Sequence, residues 1–356
     1  MGEVSFHRRA ARNTMRTLKT VLMAALIFLL SAPVHAAELT QKHFPEPQTV
    51  TPEMMEMISG EPFPFWNLHP QNAAEWKAFV QKVAEASEAA LPKLRERMNV
   101  TVVPGTVAGV AVFTVTPRNL RSENAGRILL HFHGGGYVLN PGEAGTQEAI
   151  LMAGIGGFTV LSVDYRMAPE FPYPAAMDDA VAVYRELLKT VPASRIGVFG
   201  TSTGGGMILA LPLRARAEGL PFPAALAPGT PWTDLTKTGD SYFVNEGVDN
   251  ILVSYDGWLG EAAKLYAGEH DLKDPMLSPV YGDVTSFPPT LLTTGTRDLF
   301  LSNTVRMHLK LRQSGADADL IVFEGMSHAH YHMNPDAPET HFHFNELANF
   351  FNRHLQ

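Results

Sequence analysis

The chain has 356 residues, a formal net charge of −8, 45% hydrophobic and 18% charged residues, and no cysteine. That length can bury a large core as one big domain or two small ones, and the composition argues against global disorder. The missing cysteines exclude disulfides, thiolate metal sites and a cysteine nucleophile; the acidic balance, with no dense Lys/Arg block beyond the N-terminus, argues against a nucleic-acid partner.

At the N-terminus, Arg8, Arg9, Arg12, Arg16 and Lys19 precede an apolar run from Val21 to Leu30, followed by "SAPVHAAE". This basic, apolar, small-residue order predicts a secretory signal over residues 1–36, cut after Ala36, and an exported protein, periplasmic or secreted. Either Met1 or Met15 would serve as its start. The apolar run falls well short of the roughly 20 residues that cross a bilayer, so no stable membrane span is expected. Without residues 1–36 the net charge becomes −12, since five bases and only Glu3 are removed.

Residues 38–72 are rich in Pro and Met. Trp76, Phe79, Val80, Val83, Leu91 and Leu94 then recur near helical spacing, predicting an amphipathic helix or a helix pair broken near Pro92. "VTVVPGTVAGVAVFTVTP" predicts two early strands with a Gly-containing turn. Short apolar runs follow at "RILLHFH", "FTVLSVDY", "RIGVFG", "AALAPG", "TLLTTG" and "ADLIVFEG". Helical patterns separate several of them, at "AAMDDAVAVYRELLKT", "GGGMILALPLRARAEG" and "LSNTVRMHLKLRQSG". Such alternation predicts βαβ units and a buried, mostly parallel sheet flanked by helices. The expected organisation is an N-terminal segment over 37–100, then an α/β domain over 101–356, interrupted at 234–287 by aromatic and Pro-rich sequence. Both the N-terminal segment and the interruption are candidates for a cap.

The glycine run in "VFGTSTGGGMI" has two possible uses. A phosphate-binding loop needs a Lys followed by Ser or Thr after its last glycine, and none is present. The dinucleotide fingerprint spacing also fails. What fits is G-x-S-x-G from Gly200 to Gly204, between a predicted strand and a predicted helix, which would present Ser202 as a nucleophile. The motif alone is weak, because many Gly/Ser turns match it.

A nucleophilic serine needs an acid and a base, in the chain order Ser, Asp or Glu, His on an α/β-hydrolase sheet. Asp298 is the only carboxylate between Thr290 and Gly315, after the run "TLLTTG". Read without catalysis, it would be a helix N-cap. His328 is the first histidine after "LIVFEG", with His330 as the rival base. His328, His330, His332, His341 and His343 also raise a metal site, but no carboxylate cluster accompanies them, and no metal is expected. "LLHFHGGGYV" places His133, Gly134, Gly135 and Gly136 at a strand end, where glycine amides can turn toward a developing oxyanion.

Together, "HFHGGGYV", "DYRMAPEFPYPAAMDD", "GTSTGGG", "TPWTDLT", "DPMLSPVYGD", "FPPTLLTTGTRD" and "EGMSH" resemble the hormone-sensitive-lipase-like bacterial esterases, from about Glu75 to the C-terminus. The resemblance implies an α/β-hydrolase fold with a helical cap. It also implies a carboxylesterase for short-to-medium acyl esters of small molecules, working without a cofactor. Ser202 would be the nucleophile, His328 the base and Asp298 the orienting acid. Two amides from Gly134, Gly135 and Gly136 would join that of Thr203 in the oxyanion hole. Arg166 and Glu170 would form a structural ion pair. The chain departs from the family at Thr203, where alanine is usual, so an added methyl and hydroxyl could trim the acyl pocket or add a hydrogen bond. The same triad would serve a lactone hydrolase or an amidase. The fold also occurs as a non-catalytic receptor for small acids, a reading disfavoured by the presence of both Ser202 and His328.

Overall fold

Eight apolar runs become eight strands of one sheet: β1 (Val100–Val107), β2 (Val110–Pro117), β3 (Ile128–Phe132), β4 (Thr159–Val163), β5 (Ile196–Thr201), β6 (Ala225–Gly229), β7 (Thr290–Gly295) and β8 (Ala318–Phe323). The computed structural model describes Lys42 and residues 44–356; the expected signal segment, 1–36, lies outside the described residues. All described residues fall within one compact unit, Leu39–Gln356. Among them, no helix is long and apolar enough to cross a membrane.

The strand order is β1-β2-β4-β3-β5-β6-β7-β8. β1 and β2 form an antiparallel hairpin that turns at Ala108 and Gly109, with φ of 51° and 82°. Two consecutive positive φ values are what a tight primed turn requires. β2 is antiparallel to β4, and from β4 to β8 every pairing is parallel. Central strands covered on both faces read as continuous apolar runs rather than alternating ones. β5 shows this plainly, being buried at all six positions. Burying a side chain such as Phe199 there contributes roughly 1.5–3 kcal/mol.

The helices are α1 (Pro52–Ile58), α2 (Ala73–Glu88), α3 (Leu91–Arg97), α4 (Gln147–Leu151), α5 (Ala175–Leu187), α6 (Thr203–Ala217), α7 (Ser241–Val244), α8 (Trp258–Ala267), α9 (Leu301–Gln313) and α10 (Pro338–His354). The early amphipathic stretch is a pair, α2 and α3, with Pro92 in the first turn of α3, where a missing N–H removes no helical bond. Asn72 caps α2 by accepting from the amides of Ala74 and Glu75. Five helices were not anticipated: α1, α4, α7, α8 and α10. α8 lies within the Pro-rich interruption, and α10 carries His341 and His343. α10 buries Phe344, Leu347, Ala348 and Phe351 on one face, against β5 and its neighbours.

The two segments expected to form a cap meet each other. Phe79 of α2 packs edge-on to Trp258 of α8 at 5.8 Å between ring centres, and Phe63 reaches the same indole at 6.5 Å. Trp258 lies beside Gly136, whose missing Cβ would come within 2.8 Å of the indole. The aromatic cluster therefore stands directly against the glycine loop that follows β3.

Candidate active site

The ends of five parallel strands bring the chemistry together. The loops after β3, β5, β6, β7 and β8 carry Gly134–Gly136, Ser202, Thr230, Asp298 and His328 respectively. In open parallel sheets the carboxyl edge is where ligands gather, because the helices leave a crevice there.

Ser202 links β5 to α6 at φ 62° and ψ −120°, a conformation that costs a non-glycine residue strain. Its surroundings hold it there. The Ser202 amide donates to the Gly229 carbonyl at 2.9 Å, and the Ser202 carbonyl accepts from Trp232 and Gly206 at 2.9 and 3.0 Å. Gly200 and Gly204 flank the turn because a Cβ on either would overlap the Phe132 carbonyl. The glycine run is thus a steric requirement of the turn. Beneath it, the hydroxyl of Thr201 donates to Glu148 at 2.8 Å and meets the Tyr331 hydroxyl at 2.9 Å.

Asp298 is wholly buried and surrounded by donors. Its Oδ1 accepts from His328 Nδ1 at 3.0 Å and from the Phe300 amide at 2.8 Å, and its Oδ2 accepts from the hydroxyls of Thr294 (2.7 Å) and Thr230. Burial raises the Asp298 pKa, but the His328 charge and these hydrogen bonds outweigh it and hold the carboxyl below its ordinary range. Since the carboxylate can only accept, Nδ1 of His328 carries the proton, and Nε2 is left as the base of the neutral ring. Thr230 Oγ1 sits 3.0 Å from the same Nδ1. Its φ of 34° is also in the left-handed region, and its amide donates to Thr293 at 2.6 Å. Thr230 directly follows Gly229, which holds the Ser202 amide, so one segment ties serine, acid and imidazole together.

His330, the rival base, makes no hydrogen bond to Asp298. It is fully buried, its Nδ1 accepts from the Ser327 amide at 3.3 Å, and burial lowers it to about 4. Asp249, like Thr230, Thr294 and Glu148, is a residue that sequence reasoning missed. Fully buried, it accepts from the Leu299 amide at 2.7 Å and the His328 amide at 3.3 Å through Oδ2, and from Ile251 and Leu252 through Oδ1. One carboxylate therefore holds the loop of Asp298, the loop of His328 and the interruption between β6 and β7. Burial first, then the Asp298 charge, pushes Asp249 up to about 6.

The glycine loop after β3 is anchored at each residue. The Gly134 carbonyl accepts from His133 Nδ1 and Asn140 Nδ2, and the Gly135 carbonyl accepts from Val138 and Leu139. The Gly136 amide donates to Thr203 Oγ1 at 2.7 Å. This removes Gly136 from the expected donor set, because its N–H is already engaged by a side chain. Among the described residues, no side-chain or loop acceptor takes the amides of Gly134, Gly135 or Thr203. A second correction concerns Arg166. It pairs with Asp179 at 2.8 Å rather than with Glu170, which is exposed in the turn before α5, while Asp179 on α5 is buried facing the end of β4.

A family model described as alpha/beta hydrolase fold matches residues 129–332. The chain is 32% identical over 243 residues to an acetyl-hydrolase of Streptomyces hygroscopicus, covering 68% of this chain and 80% of that protein. The chain belongs to the hormone-sensitive-lipase-like family of α/β hydrolases. Among solved structures, this hydrolase is similar to an esterase called E25, with TM-score 0.86 and 43% identity over 90% of this chain and 99% of the other. It is also similar to a hormone-sensitive lipase from a metagenome library, with TM-score 0.68 and 30% identity over 81% and 100% of the two chains.

The hydrolase's buried histidines set its response to acid. Burial lowers His133 and His330 to about 4, His343 to about 3, and His332 in the same direction. Each is neutral in the fold, whereas the unfolded chain protonates them as pH falls through about 6.5. A depressed basic pKa contributes stability that is present above pH 6.5 and lost on descending toward 4, with a slope of about 1.4 kcal/mol per pH unit for each such proton. Asp249, raised to about 6, has the opposite sign, since its contribution is present below its unfolded value and lost as pH rises through 6. The four histidines outweigh it. The urea midpoint is therefore expected to fall steadily between pH 6.5 and 4.5, and a midpoint that stays level over that range would contradict the buried neutral state.

Proposed function

We propose that this hydrolase is a serine carboxylesterase for short-to-medium acyl esters of small molecules, acting through an acyl-enzyme. Family membership sets the class, carboxylic ester hydrolase. The finer reading rests on the buried Asp298–His328 pair at 3.0 Å, locked by Thr230 one residue beyond the carbonyl that holds Ser202.

Ser202 Oγ attacks the ester carbonyl while His328 Nε2 takes its proton, and Asp298 stabilises the imidazolium through Nδ1–H. The carbonyl oxygen becomes an oxyanion that accepts from the amides of Gly134, Gly135 and Thr203. Collapse of this intermediate breaks the bond to the alcohol oxygen, which receives the proton from His328. Water, deprotonated by His328, then attacks the acyl-enzyme; the acid leaves as the bond to Ser202 Oγ breaks, and His328 returns the proton to that oxygen. The cluster of Phe63, Phe79 and Trp258 serves as the cap beside this pocket. No step calls on a metal or cofactor.

A fluorophosphonate probe tests the assignment. Stoichiometric labelling, located at Ser202 by peptide mass spectrometry and accompanied by loss of p-nitrophenyl acetate hydrolysis, is the expected result. Labelling at another serine, or none in folded protein, would sink it.

A further inference from the structure

The backbone amide of Thr203 serves the proposed oxyanion hole, and its side chain has a separate task. We infer that the Thr203 hydroxyl is a positioning residue that clamps the oxyanion loop to the nucleophile turn. This rests on the esterase reading and deepens it.

The oxyanion donors come from two segments of chain that are far apart in sequence. Gly134 and Gly135 belong to the loop after β3, and the third amide belongs to Thr203, the first residue of α6. Stabilising a developing oxyanion requires donors fixed about 2.7–3.1 Å from one point, so the relative placement of the two segments matters as much as either alone. The two segments pack tightly, a Cβ on Gly134 falling 2.9 Å from the Thr201 carbonyl, but hydrogen bonds leave one directional link between them. The carbonyls of Gly134 and Gly135 are held from within their own loop, by His133, Asn140, Val138 and Leu139. Tyr165 adds a bond from its hydroxyl to the His133 carbonyl at 2.6 Å, which again stays on the β3 side of the site. The bond from the Gly136 amide to Thr203 Oγ1, at 2.7 Å, is the hydrogen bond among the described residues that joins Gly134–Gly136 to the 200–204 turn.

Thr203 is wholly buried, so water does not compete for this bond. It is also the first helical residue, so its Cα is fixed by α6 itself. The acceptor is therefore rigidly mounted beside the nucleophile. Gly136 has φ 65°, and Trp258 closes on it from the other side, so the loop end is gripped between hydroxyl and indole. An alanine at 203 would supply the same backbone amide but no acceptor for Gly136. The buried Gly136 N–H would then lack a partner, which favours a shift of the loop. Misplacement of catalytic groups by about 1 Å can cost up to 10²-fold in rate.

The test compares Thr203→Val, which keeps the shape without the acceptor, with Thr203→Ser and Thr203→Ala, using p-nitrophenyl acetate and the full-length protein. The clamp predicts kcat about 10-fold lower in the Val and Ala variants, with KM changed less than about two-fold. It predicts kcat within about two-fold of wild type in the Ser variant. The affinity for a trifluoromethyl ketone, whose adduct with Ser202 carries an oxyanion, should fall in parallel with kcat/KM. The Ala variant, which cannot overpack, keeps the test decisive should the Val variant not fold. Wild-type kcat in Thr203→Ala, a loss in Thr203→Ser as large as in Thr203→Ala, or a change confined to KM would overturn the clamp and leave the esterase reading standing. A wild-type protein that neither hydrolyses the ester nor reacts with fluorophosphonate would overturn both.

Discussion

Ser202→Ala is expected to lower kcat toward p-nitrophenyl acetate by about 10⁵- to 10⁶-fold, the loss seen when a triad nucleophile is deleted. The thermal midpoint should hardly move. Alanine inherits the same left-handed backbone at φ 62°, and the bonds that enforce it run through the main chain of Gly229, Trp232 and Gly206. Removing one hydroxyl leaves those bonds untouched and opens little space. Circular dichroism melting beside steady-state kinetics separates the two effects. A variant that retains more than about 1% of wild-type kcat would show that the covalent step does not depend on Ser202.

The second large effect separates two neighbouring histidines. His328→Ala should reduce kcat by about 10⁴-fold or more, because the proton of Ser202 then has no acceptor held by Asp298. His330→Ala should keep kcat within about 10-fold. Its cost falls on stability, of the order of 1–3 kcal/mol, as for other buried large-to-small changes. The two variants thus lose different properties, read by kcat in one and by the urea midpoint in the other. If His330→Ala abolishes turnover and His328→Ala survives, the base has been misassigned.

Most of this architecture was legible in one sequence because covered parallel strands write themselves as short apolar runs. All eight strands, the α2–α3 pair broken at Pro92, and the turn around Ser202 follow from that pattern and from glycine sterics. The order Ser202, Asp298, His328 was also readable, since strand ends are where such groups must sit. The supporting residues were not. Thr230, Thr294, Asp249 and Glu148 act through partners 4 to 98 residues away, and nothing local marks a threonine or a buried carboxylate for that task. The same limit explains the two corrections. Glu170 is near Arg166 in sequence, yet the fold brings Asp179 to it instead. Gly136 looks equivalent to Gly134 and Gly135 until the Thr203 hydroxyl, from another strand end, claims its amide. α10 stayed hidden because its histidines and asparagines masked the apolar face it buries.

The division of the site among five strand ends has a consequence for assembly. The candidate groups run from Gly134 to His328, and the last of them follows β8, an edge strand and the last strand in chain order. No shorter stretch of chain contains all of these groups. On the proposed reading, a fold still lacking β8 would be expected to hold Ser202 without His328 beside it, so the topology that gathers the residues would also withhold their reactivity from an incomplete fold.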